Sequence, residues 1–169
     1  MNYLYLYLLL PPSLAITGLM TYACWKLGRK PDLIIYNKVD GVKVPYVSRW
    51  YLALNKLYAV FLHEFANKDH DLPHNHIGPM VSLVIAGRGR EEFFNVLGAK
   101  TGERELKPGR IYFRGTKYPH LIHSSAEEPL QTLVFAWVAA NKNWGFFNTD
   151  GSFYPAKEYC KSSGFNKTN

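Results

Sequence analysis

LPHNHIGPMVSLVIAG, residues 72–87, sets two histidines one residue apart directly ahead of a run with the character of a buried strand. In extended backbone successive side chains alternate between faces, so His74 and His76, at i and i+2, share one. Two imidazoles on one face can reach a single ion, and imidazole suits zinc, iron, nickel and copper. An isolated H-x-H is more often a pair of ordinary strand histidines. A third donor from elsewhere in the chain is therefore required.

Outward from this stretch, the chain reads as short apolar pieces separated by turn residues. LIIY (33–36), VPYVSRWYLAL (44–54) and LYAVFLHEF (57–65) precede it. EEFFNVLG, GRIYFRG, HLIHSS and LQTLVFAWVA follow, and WGFFN and SFYPA flank Thr149, Asp150 and Gly151, a hairpin signal. Glycine or proline stands in nearly every gap, as at Gly41, Pro73, Gly87, Gly98, Gly109 and Pro119. Short, evenly spaced strands predict an all-β chain, a small antiparallel β-barrel, with helix only in the apolar N-terminal segment.

An antiparallel barrel can lay FRGTKYPHLIHSS (113–125) beside the H-x-H strand. His120 and His123 are three residues apart and fall on opposite faces of a strand, so one of them points inward. His63 alternates with Phe61 and Phe65, which suits packing within a sheet, and His70 sits in the charged loop NKDHD.

The chain has 169 residues, of which 47% are hydrophobic and 15% aromatic, enough for one packed core. Its net charge of +7 favours anionic neighbours. Lys and Arg are scattered rather than clustered, however, which speaks against a nucleic-acid partner. Cys24 and Cys160 lie far apart and predict no disulfide framework.

Residues 3–25 carry no charge before Lys26 and are long enough for a membrane helix, with Trp25 and the tyrosines suited to the interfaces. Lys26, Arg29 and Lys30 would then place the barrel in the cytoplasm, anchored by this segment. Pro11 and Pro12 interrupt the run, and a partner-binding or core helix, or a true start at Met20, are the alternatives. The expected divisions are 1–28 as the apolar segment, 29–160 as the barrel and 161–169 as a polar tail.

HNHIGPMVSLVIAG resembles the first sequence motif of the cupin superfamily, an H-x-H followed by a glutamate position and then a glycine. Gly87 falls in register, and Met80 stands where that glutamate would be. GRIYFRGTKYPH resembles the second motif, opened by Gly109 and closed by Pro119 and His120. A narrower likeness, to small single-domain cupins of bacteria and bacteriophages with no settled activity, runs from Arg29 to about Tyr159 through RKPDLII, DHDLPHNH and WGFF. Those relatives usually have Pro-Trp after H-x-H, where this chain has Ile77 and Gly78, which implies a reshaped pocket wall.

The resemblance implies a jelly-roll barrel with a divalent metal (iron, zinc, nickel or manganese) held by His74, His76 and His120. A thioether is a poor partner for a hard ion, so Met80 leaves a three-histidine shell with open positions, similar to that of the cysteine dioxygenases. An anionic substrate would want a guanidinium, and Arg49 and Arg114, set within apolar strands, are the substrate-binding candidates. Arginine is seldom buried unless paired, so an exposed sheet face is the default for both. Of Glu91 and Glu92 only one can face inward, as a base or substitute ligand, and a solvated edge is the default there too.

Two functions follow. The first is a metal-dependent oxygenase or isomerase acting on a small polar or anionic molecule. The second is a non-catalytic barrel serving as a binding or structural subunit of a larger, membrane-associated assembly. Barrels of this type commonly pair through their edges, so a homodimer is the expected assembly.

Overall fold

A computed structural model describes residues 12–39, 42–67, 72–137, 144–148 and 150–158. One helix, α1 (Pro12–Leu27), precedes β1 (Leu33–Val39), β2 (Val42–Leu54) and β3 (Tyr58–Phe65). After the H-x-H segment come β4 (Met80–Ala86), β5 (Gly89–Phe94), β6 (Lys100–Leu106), β7 (Ile111–Arg114) and β8 (His120–His123). The chain continues through β9 (Leu130–Trp137), β10 (Gly145–Phe147) and β11 (Phe153–Pro155).

The period-2 alternation of these strands decides which side of each becomes core. One layer is a six-stranded antiparallel sheet in the order β1-β2-β3-β9-β4-β7. The other contains the three-stranded sheet β6-β5-β8 and the hairpin β10-β11. Val47, Phe65, Val84 and Leu130 from the first layer pack against Leu106 and Ile122 from the second. Full burial of a leucine such as Leu106 or Leu130 contributes on the order of 1.5–3 kcal/mol.

The expected barrel is therefore realised as two packed sheets, and among the described residues no ladder runs continuously around both. Inner side chains from two twisted sheets interleave without a shared hydrogen-bond ladder, which is sufficient to form the core. The predicted hairpin forms between β10 and β11, with Gly151 at φ +82° and its N–H donating to Asn148 O at 3.0 Å.

The N-terminal helix packs on the outer face of the larger sheet. Ala23 and Leu27 meet Trp50 and Leu62, and Trp50 Nε1 donates to Arg29 O at 2.8 Å. Pro12 is the first helical residue, where its missing N–H costs nothing. The helix has 16 residues, about 24 Å at 1.5 Å per residue. Among the described residues no helix is long and apolar enough to cross a membrane, and residues 3–11 of the apolar run lie outside them. Cys24 is exposed and unpaired, while His70, Cys160 and the 161–169 tail also lie outside the described residues.

Ala23→Asp would place a carboxylate against Trp50 and Leu62. It is expected to release α1 while leaving the sheets folded, seen as rapid proteolytic loss of the N-terminus with unchanged β-type circular dichroism. Retention of the helix would mean that its packing on Trp50 and Leu62 does not hold it.

Candidate metal centre

The residues of the H-x-H segment are threaded between two strands of the smaller layer. His74 N donates to His120 O at 3.1 Å, His120 N returns a bond to His74 O at 3.0 Å, and a second bridge joins His74 to Phe146. Asn75 is buried and points away from the histidines, its Oδ1 accepting from Gly145 N at 2.7 Å. This clamp holds the segment extended, so His74 and His76 share a face as their spacing predicts. His120 enters from β8 with the inward parity, and His123 takes the other, its Nε2 lying 3.0 Å from Glu92 Oε2.

Donor atoms of His74, His76 and His120 all lie within 4.8 Å of one another, and His76 Nε2 is 2.6 Å from His120 Nε2. Burial, and then the neighbouring His120 and His74, hold the His76 imidazole well below its ordinary pKa. The ring is therefore neutral, the form that coordinates a metal.

The orientation of His120 is decided by Glu91, a residue fully shut off from solvent. His120 Nδ1 hydrogen-bonds Glu91 Oε1. Arg114 donates through Nε to Oε1 at 2.7 Å and through Nη2 to Oε2 at 3.0 Å, while Arg104 Nε reaches Oε2 at 2.8 Å. Burial opposes ionisation of Glu91, but the His120 hydrogen bond and the Arg114 charge outweigh it, holding the carboxyl well below the usual range. An ionised carboxylate only accepts, so Nδ1 must carry the proton and His120 Nε2 presents a lone pair to the cluster. At this separation a proton on His76 Nε2 satisfies the pair, and a divalent ion held at about 2.0–2.1 Å from each would require the two rings to part by several tenths of an ångström. With the rings so parted, the donor set fits a divalent ion, in the carboxylate–histidine–metal arrangement that orients many metal-bound imidazoles.

The three histidines open on a cavity of about 650 Å³, walled mostly by apolar side chains such as Tyr46, Phe65, Val134 and Phe146. Met80 lines it and packs on Ala59, Phe61 and Val134. Both candidate arginines line it as well, against the exposed default for each. Arg114 is buried and committed to Glu91 and to Ser82 Oγ. Arg49 faces its cross-strand neighbour His63, donating from Nε to His63 Nε2 at 2.6 Å and from Nη1 to Tyr51 Oη at 3.3 Å. His63 is packed between Phe61 and Phe65, as its alternation suggests, yet it also lines the cavity.

One role was missed from sequence: Glu91 departs from the solvated-edge default. Trp144 and Phe146 of the WGFF stretch, whose aromatics suit a hydrophobic plug closing the barrel, form a cavity wall. Strand parity shows that one of Glu91 and Glu92 faces in. Only the diagonal contact from β5 to His120, across from Arg114, shows which one.

Neither a family model nor a curated protein sequence matches the chain. The solved structures that it resembles include cupin superfamily proteins. One is a cupin from Desulfitobacterium hafniense, with 15% identity over 59% of this chain and 85% of that one, at a TM-score of 0.45. A DMSP lyase from Ruegeria pomeroyi shares 15% identity over 60% of this chain and 55% of its own, with the same TM-score of 0.45. A hydroquinone 1,2-dioxygenase from a Sphingomonas species gives 11% identity, 54% and 66% coverage and a TM-score of 0.46. The matches span 49% and 55% of two DMSP lyase chains, about half their length. These likenesses concern chain shape and say nothing of substrate.

Proposed function

We propose that His74, His76 and His120 hold one divalent ion and that the chain is a metal-dependent oxygenase acting on a small molecule bound in the adjoining cavity. The observation that carries this is the convergence of three imidazoles, one with its tautomer set by a buried carboxylate. An ion held by these residues would supply a Lewis acid able to polarise a substrate and to activate dioxygen.

The protein's own residues do the rest. Glu91 holds the proton on His120 Nδ1, and the apolar walls limit water around the reacting atoms. A proton-abstracting isomerase would want a protein base in reach. No carboxylate is among the described residues lining the cavity, the remaining histidine there, His63, already accepts from Arg49, and Lys157 stands exposed. That favours the oxygenase over the isomerase.

The test is metal content of the full chain purified without added metal, read by mass spectrometry, followed by dioxygen uptake with the iron-loaded protein and small organic acids. Close to one equivalent of metal is expected, lost in both His74→Ala and His120→Ala. Absence of metal from the wild type, with both variants folded as before, would overturn the enzyme and leave a binding or structural module. Stoichiometric metal without dioxygen uptake would restore the isomerase.

A further inference from the structure

The two arginines in the cavity differ in how their charge is met. Glu91 neutralises Arg114. Among the described residues no carboxylate pairs with Arg49, whose bonded neighbours are His63, Tyr51 and the face of Phe61, 4.5 Å from the guanidinium carbon to the ring centroid. Burial first, and then Arg49 and Arg114, keep His63 well below its ordinary pKa, so it accepts from Arg49 as a neutral ring and adds no negative charge; among the described residues none offsets the guanidinium. A partly buried cation carries a desolvation penalty that a counter-ion relieves. With Nε committed to His63 and one Nη1 hydrogen to Tyr51, the second Nη1 hydrogen and those of Nη2 remain for a two-pronged contact, the geometry that matches a carboxylate.

We propose that Arg49, aligned by His63 and Tyr51, anchors the carboxylate of a small monocarboxylic acid whose apolar body lies along Phe65, Val134 and Phe146 toward the three histidines. This deepens the metal-site proposal and rests on it for the position of the reacting end, although the anchor itself needs no metal. The body must be apolar because the walls are. An α-amino acid is excluded, since the described cavity residues offer no carboxylate to meet its ammonium group.

Isothermal titration of the full chain with hexanoate, hexanol, hexylamine and norleucine tests this directly. Hexanoate is expected to bind at least tenfold more tightly than the other three. Arg49→Gln should lose that tenfold preference while leaving hexanol affinity unchanged, and Arg49→Lys should fall between, because an ammonium cannot form the fork. If Arg49→Gln does not fold, Arg49→Lys and the wild-type preference decide.

His74→Ala and His120→Ala are expected to keep hexanoate binding even after losing metal, so failure of the metal site and failure of the anchor give different results. Equal wild-type affinity for hexanoate and hexanol would overturn the proposal, as would unchanged hexanoate affinity in Arg49→Lys or Arg49→Gln. Norleucine binding as tightly as hexanoate would overturn the exclusion of amino acids.

Discussion

Replacing Glu91 by alanine is expected to lower the unfolding free energy by about 3–5 kcal/mol, the usual result of stranding one half of a buried ion pair. Arg114 would be left charged in a site where it is 8% exposed, and Ser82 would be its remaining hydrogen-bond partner. Arg104 is better placed, because its side chain is 31% exposed and stacks between Phe93 and Tyr112. Glu91→Gln keeps the shape but aims an amide NH2 at guanidinium donors, so an intermediate loss is expected. Urea unfolding followed by tryptophan fluorescence measures both.

The same substitution should weaken divalent-metal binding by about 10–100-fold, the range typical of removing a carboxylate that orients a metal-bound imidazole. Stability and orientation can be separated. Glu91→Met combined with Arg114→Met removes both buried charges and should recover much of the lost stability. It should not recover metal affinity, since His120 Nδ1 still lacks its acceptor. Recovery of both would show that Glu91 acts only as a structural counter-ion.

The second large effect is expected at Gly87. Its φ is +70°, and a Cβ there would stand 1.9 Å from Pro129 O and 2.6 Å from Pro129 C. The clash is with backbone, which no rotamer change relieves. Gly109 provides the control, with φ +76° and nothing within 4 Å of its added Cβ. Gly109→Ala should therefore lose only about 1–2 kcal/mol for the left-handed conformation. Gly87→Ala should exceed that by at least 2 kcal/mol, on the order expected for forced overpacking. Equal urea midpoints for the two variants would mean that the 127–130 turn yields freely.

Much of the architecture was legible because strand chemistry is local. Turn residues and alternation located the strands around the H-x-H pair, and Asp150-Gly151 marked the last hairpin. Spacing alone placed His74 with His76 and separated His120 from His123. The helix was legible only as an apolar segment. Its packing on Trp50 and Leu62 depends on which face of β2 and β3 the second layer leaves uncovered, and no local pattern reports that.

Taken alone, the sequence determined which side chains share a face, because a pleated backbone turns each residue opposite to the last. Only the tertiary structure decided which face is the interior. It set Arg49 beside His63, Glu91 under His120 and Arg114 against Glu91, since a buried charge is tolerated only where partners from distant strands arrive together. Parity is a property of one strand, whereas neutralising a charge away from water needs neighbours from several.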